Sequence, residues 1–178
     1  DKIASLNVLE KNGYNIVKII NNCCGLPYIS DGDLKRFEQN AKKIIKSVPD
    51  NAKYIVTSCD SCYQTLLRVF KNTKYEVKRV DELLSTEKDI EKVVYHKPFS
   101  RKENYADLPL LNKKGSCSLM ENYLMLKHPE IAKQILDKVF YNKQDLENKN
   151  IVTSCNLTKW GLIENCNKKV INTDIFSL

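Results

Sequence analysis

Apolar positions recur at helical spacing from the first residues. Ile3, Leu6 and Leu9 share one face of a helix expected over residues 3–12, and Gly13 marks its stop. The run Tyr14 to Ile20 reads as a strand that ends at a cysteine pair. From about Leu34 to Val48, the positions Phe37, Ala41, Ile44, Ile45 and Val48 lay out an amphipathic helix, with Pro49 after it. Tyr54 to Thr57 predicts a short buried strand, Gln64 to Phe70 a helix and Tyr75 to Val80 a strand. Residues 85–92 look like a link. A second series then starts at the strand Val93-Val94-Tyr95, passes through a helix around Ala132-Lys133 and closes on a short strand near Val170. Helix and strand alternate throughout, which predicts an α/β fold with mainly parallel strands.

An internal echo sharpens this picture. Residues 55–59 read IVTSC, and residues 151–155 read IVTSC again. Upstream of the first copy stand Cys23-Cys24, the turn Asp31-Gly32-Asp33 and a helical pattern; upstream of the second stand Cys117, His128-Pro129-Glu130 and a helical pattern. Each copy runs on through a helix to a strand. The order cysteine, helix, strand with cysteine, helix, strand occurs twice, and repeats of this kind decide architecture. The expectation is two tandem, pseudo-symmetric Rossmann-like units, residues 1–84 and 93–178, joined by the link 85–92. In parallel sheets ligands sit beyond the carboxyl ends of the strands, the edge where Cys23-Cys24 and Cys59 both fall.

Composition narrows the class. With 42% hydrophobic and 29% charged residues the 178-residue chain fits an ordinary soluble globular protein. No stretch approaches the ~18 apolar residues of a membrane span, and the opening residues lack the apolar run of a signal peptide. A cytoplasmic location is expected, peripheral to the inner membrane only through a partner. The chain starts at Asp1 without an initiator Met, so further residues are expected upstream. The net charge of +7 comes from Lys spread among Asn and Glu. That pattern reads as a solvated surface, or as a docking face for an acidic partner. No basic stripe interleaves with aromatics, so a nucleic-acid partner is not expected. Seven cysteines are many. Their odd number and the lack of an export signal favour metal-bound thiolates in a reducing compartment over a disulfide scaffold.

The cysteines carry the chemistry. Cys59-Asp60-Ser61-Cys62 is a CxxC at a strand–helix junction, where the helix N-terminus favours thiolate. Such a pair serves zinc, iron–sulfur clusters and dithiol redox chemistry alike. Cys23-Cys24-Gly25-Leu26-Pro27 adds a constraint. Adjacent side chains of extended backbone point to opposite sides, so two neighbouring cysteines suit a turn or a polynuclear centre better than one tetrahedral zinc. Gly25 is expected where the backbone bends close to that centre. No GxGxxG, Walker A or GxSxG motif is present, so flavin or nicotinamide would sit on another chain.

The order CCGLP, a GD turn, a helix, IVTSCDSC and a helix resembles the cysteine-rich CCG domain. That domain occurs in the B subunit of heterodisulfide reductase and in the iron–sulfur subunits of glycolate oxidase, lactate-utilisation proteins and anaerobic glycerol-3-phosphate dehydrogenase. The resemblance implies an iron–sulfur electron-transfer subunit of an oxidoreductase. Its cofactor would be a 4Fe-4S cluster, non-cubane in the heterodisulfide reductase branch, held by Cys23, Cys24, Cys59 and Cys62. It also implies a flavoprotein dehydrogenase or a ferredoxin-type iron–sulfur subunit as partner, with a quinone or disulfide as acceptor. The family pattern has a further lone Cys before CCG, expected upstream of Asp1.

The second unit departs from that pattern. Phe99 stands where relatives have Cys, Ser116 replaces the first Cys of CCG, and Thr158 replaces the second Cys of CxxC. Cys117 and Cys155 remain, and two thiolates do not hold such a cluster. This half is read as a degenerate scaffold; the alternative is a zinc or partial-cluster site of His96, Cys117, Cys155 and Cys166. His96 and Cys166 otherwise read as structural, and Trp160 as core. Two rival functions stay open for the first half: a zinc-bound assembly module using the same four thiolates, and a thiol–disulfide oxidoreductase working through Cys59 and Cys62.

Overall fold

The structure is a computed structural model that describes residues 2–83, 93–96, 124–136, 150–156, 158–159 and 170–172. The chain divides into two compact units, Asp1–Ser85 with Asp174–Leu178, and Thr86–Thr173.

In the first unit, α1 spans Lys2–Lys11. It ends in a Schellman motif: Gly13 takes φ 83°, its N–H bonds the Glu10 carbonyl, and the Tyr14 N–H bonds the Leu9 carbonyl. Leu9 is buried, but Ile3 at the far end is 73% exposed, so only the last turns of the expected face reach the core. A short α2 covers Leu26–Ser30, and α3 covers Leu34–Ser47. Asp33 caps α3, its side chain accepting from the Arg36 N–H at 3.0 Å. The expected apolar stripe of α3 does pack inward. Ile44 and Val48 join Ile55, Val69, Phe70 and Val77 in the core, with Phe37, Ala41 and Ile45 against them.

Strand β1, Tyr54–Thr57, leads into α4, Asp60–Val69, and α4 returns to β2, Glu76–Arg79. The two strands pair in parallel, Ile55 opposite Val77 and Thr57 opposite Arg79. This is a β-α-β crossover, the connection that parallel neighbours require. A single 3-10 turn, Val80–Leu83, follows.

Two expectations need correction. Residues 14–20 join neither sheet. Their apolar side chains read as a strand, yet no ladder forms, and Val17 and Ile19 are 43% and 44% exposed. The segment is held instead by side chains: Ile20 packs on the core, and the Tyr14 ring meets Tyr54 edge-on. Helix α4 also begins at Asp60 rather than Gln64, so Cys62 lies inside its first turn.

The second unit holds β3 (Val93–His96), α5 (Leu124–Lys127), α6 (Pro129–Leu136), β4 (Asn150–Thr153) and β5 (Val170–Asn172). Its sheet is parallel in the order β3-β4-β5. Ile151, Val152 and Thr153 of the central strand are buried, as a strand flanked on both sides should be. The link 85–92 and Phe99, Ser116, Cys117, Trp160 and Cys166 lie outside the described residues. Among the described residues no helix is long and apolar enough to cross a membrane.

Candidate metal centre

The centre is built where β1 gives way to α4. Thr57 closes the strand, and its Oγ1 accepts the Cys59 N–H at 3.3 Å. Cys59 is the N-cap of α4 in extended conformation, and its carbonyl accepts the Tyr63 N–H at 2.8 Å. Cys62 follows within the first helical turn. Residues three apart on a helix are neighbours, so the twist returns the Cys62 sulfur to the side of Cys59.

The CCG turn comes from the other direction and is fastened by α3. The Asn40 side-chain amide donates to the Cys23 carbonyl at 2.9 Å. Gly25 takes φ 97°, a left-handed conformation open to glycine at little cost. A Cβ there would stand 3.0 Å from both Asn40 and Phe37. The glycine therefore allows the close approach of α3. Cys24 points inward and is buried; Cys23 lies exposed at the lip.

Three of the four expected ligands meet. The Cys62 thiol hydrogen-bonds Cys24 and also Cys59. Its proton is retained by those two bonds, and burial adds to the effect, so the Cys62 pKa lies far above the ordinary thiol value. Cys24 shifts the other way, down to about 6. The bond from Cys62 is the main cause. Burial opposes it, the Leu26 N–H supports it, the nearby Cys59 opposes it, and the Thr65 hydroxyl supports it. The shared bond thus favours the thiolate at Cys24 and the thiol at Cys62. The α4 N-terminus adds positive potential at the same place. The contacts are those of thiols sharing protons. Among the described residues no three His, Cys, Asp or Glu side chains are set to hold a single metal ion.

Sequence reasoning passed over the polar residues behind the thiols. Thr65, buried, lies within reach of Cys24 and donates to the Ser61 carbonyl at 2.9 Å. Asp60, between the two cysteines, is 1% exposed and lies 3.7 Å from the Arg79 guanidinium. That guanidinium also pairs with Glu82 at 2.6 Å and Asp81 at 3.9 Å, and it sits 4.5 Å from the centre of the Tyr63 ring. The acid inside CxxC was a usable signal. Nothing in the sequence marked Arg79.

The second IVTSC builds the same turn. Thr153 Oγ1 accepts the Cys155 N–H at 3.4 Å, and the Cys155 carbonyl accepts the Lys159 N–H at 2.9 Å. Cys155 is buried, and so is Thr158 at the place of Cys62. His96 ends β3, with its backbone opposite Thr153.

Residues 2–67 match the family of the cysteine-rich CCG domain. The chain is also 30% identical over 139 residues to an uncharacterised iron-sulfur protein of Methanocaldococcus jannaschii, a match that takes in 76% of this chain and 26% of that relative. The chain therefore spans about a quarter of the relative's length. The family match covers the CCG turn, α3, β1 and most of α4, which are the elements that bring Cys24, Cys59 and Cys62 together. Residues 2–67 of this chain are thus similar to the cysteine-rich CCG domain.

Proposed function

We propose that the chain is an iron–sulfur electron-transfer module of an oxidoreductase complex. The observation that carries this reading is the meeting of Cys24, Cys59 and Cys62 sulfurs at the β1–α4 junction. Sulfur donors at a helix N-terminus suit thiolate-bound iron. Cys23, Cys24, Cys59 and Cys62 would hold a 4Fe-4S cluster, with Cys23 contributing from the exposed lip. When bound, the cluster supplies one-electron chemistry. The protein's part is to fix the thiolates, keep Cys24 ionised and shield the buried side of the site. The printed name of the Methanocaldococcus relative points the same way.

The complex would be a 2-hydroxy-acid or glycerol-3-phosphate dehydrogenase, or a heterodisulfide reductase-like enzyme. A flavoprotein or ferredoxin-type subunit would be the electron partner, in the cytoplasm. The two units would be tandem copies, 1–84 and 93–178, of one Rossmann-like design. The second keeps the turn without the ligands and serves as scaffold and docking surface.

Anaerobic reconstitution with iron and sulfide tests this. A coloured protein with stoichiometric iron and sulfide and a paramagnetic signal in one redox state is expected. Uptake of zinc in preference to iron would replace the redox reading with an assembly module. Failure to take up any metal, together with reversible Cys59–Cys62 disulfide formation, would replace it with dithiol chemistry.

A further inference from the structure

One guanidinium grips the residue that follows each cysteine of the CxxC. Arg79, on β2, reaches Asp60, the neighbour of Cys59, and lies over the ring of Tyr63, the neighbour of Cys62. Its other side is anchored: Glu82 Oε1 lies 2.6 Å from the guanidinium, and Glu82 Oε2 accepts the Arg79 backbone N–H at 3.4 Å. Glu82 and Asp81 keep some solvent exposure, whereas Asp60 keeps almost none. A buried carboxylate is stabilised by a cation beside it, and removing that cation weakens the compensation of its charge.

The second unit supplies an internal comparison. Thr57 is opposite Arg79 in the β1–β2 register, and Thr153 is opposite Asn172 in the β4–β5 register. The position of Arg79 is therefore taken by Asn172. Cys155 stands for Cys59, so Asn156 takes the place of Asp60, Thr158 that of Cys62 and Lys159 that of Tyr63. The acid, the base and the aromatic ring are all exchanged in the copy whose second cysteine is gone, while the strand and its Thr-to-Cys bond are kept. Fold alone does not demand the ion pair.

We propose that Arg79 is a positioning residue for the Cys59–Cys62 turn, which it holds through Asp60 and Tyr63 while offsetting part of the charge of the carboxylate placed between the two cysteines. This rests on the iron–sulfur reading for its redox consequence, but not for its structural one. Net charge beside a cluster tunes its reduction potential, since each added negative charge disfavours taking up an electron.

Four variants of the full chain decide it: Arg79→Gln, Arg79→Lys, Asp60→Asn and the double Asp60→Asn/Arg79→Gln. Amide hydrogen exchange over residues 59–65, on chelator-treated protein, reads the positioning. Arg79→Gln should speed exchange by about tenfold or more, because it removes the cation beside a buried carboxylate and the group over the Tyr63 ring. The double variant should lie closer to the parent than Arg79→Gln does, and Arg79→Lys should recover part of the protection. After reconstitution, the midpoint potential should fall in Arg79→Gln, rise in Asp60→Asn and return towards the parent in the double variant. A purely structural pair would shift both single variants the same way, or leave the potential alone; either result, or unchanged exchange, overturns the proposal. If Arg79→Gln does not fold, Asp60→Asn and the double variant carry the same comparison. If even the parent chain takes up no iron, the iron–sulfur reading fails, and the exchange data still decide whether Arg79 positions the turn.

Discussion

Asn40 Nδ2 donates to the carbonyl of Cys23 at 2.9 Å across seventeen residues of chain, tying the middle of α3 to the CCG turn. The same amide fills the space over Gly25. One side chain thus fixes the backbone that aims Cys24 inward. Asn40→Ala should cost about 0.5–1.5 kcal/mol of stability, the net worth of one hydrogen bond. It should also lower the iron retained after gel filtration of reconstituted protein. Asn40→Asp should do the same, since a carboxylate cannot donate. Parent-like iron retention in both would mean that the turn holds its own shape.

Gly25→Ala places a methyl group at φ 97° and 3.0 Å from Phe37 and Asn40. The left-handed backbone alone should cost about 1–2 kcal/mol, with overpacking added to it. Urea unfolding of Gly25→Ala in a Phe37→Leu background should recover the part of the cost due to Phe37 and leave the backbone part and the Asn40 contact. Full recovery would show that the conformation carries no strain for alanine.

Cys59 and Cys155 occupy equivalent turns, but only Cys59 has a sulfur partner one helical turn on. Cys59→Ala should abolish iron incorporation in anaerobic reconstitution. Cys155→Ala should leave the iron count unchanged and cost about 1 kcal/mol from lost packing. Equal loss of iron in both variants would make the second unit a working site.

The Cys24–Cys62 pair predicts a pH profile for the reduced, chelator-treated chain. In the unfolded chain both thiols lose their protons near 9.0. The folded pair gives up its first proton near 6, from Cys24, and holds the other on Cys62 well beyond the ordinary range. Between about 6 and 9 the unfolded chain binds more protons, so stability rises with pH. Above 9 the folded pair binds more, so stability falls. A single proton corresponds to about 1.4 kcal/mol per pH unit at most. The difference in Tm between parent and Cys24→Ser should therefore peak near pH 9. A difference that is flat across the range would show that the two thiols do not share a proton.

The core of the first unit was legible because α3 buries aliphatic residues at regular helical spacing. The start of α4 was not, for a physical reason. The buried residues of that helix are Asp60, Ser61, Thr65 and Val69, so its inward face is mostly polar and hydrophobic periodicity cannot see it. The run from Tyr14 to Ile20 failed in the opposite way: its apolar side chains resemble a strand, but a strand also needs a ladder partner. The meeting of Cys24, Cys59 and Cys62 had its signal in the CCG and CxxC motifs themselves, since the strand expected before the first of them does not form. The inward Cys24 and outward Cys23 follow the alternation expected of adjacent residues. Arg79 was invisible because a single arginine late in a strand has no pattern of its own.

The Thr-to-Cys bond at the end of β1 and β4 is made to a backbone N–H, which every residue except proline possesses. The lock is therefore indifferent to the side chain that follows it, and mutational drift at that position leaves the turn standing. A shared IVTSC consequently marks a shared way to leave a strand and enter a helix. Where the two turns part in chemistry is written three residues after the cysteine, where the first has Cys62 and the second Thr158.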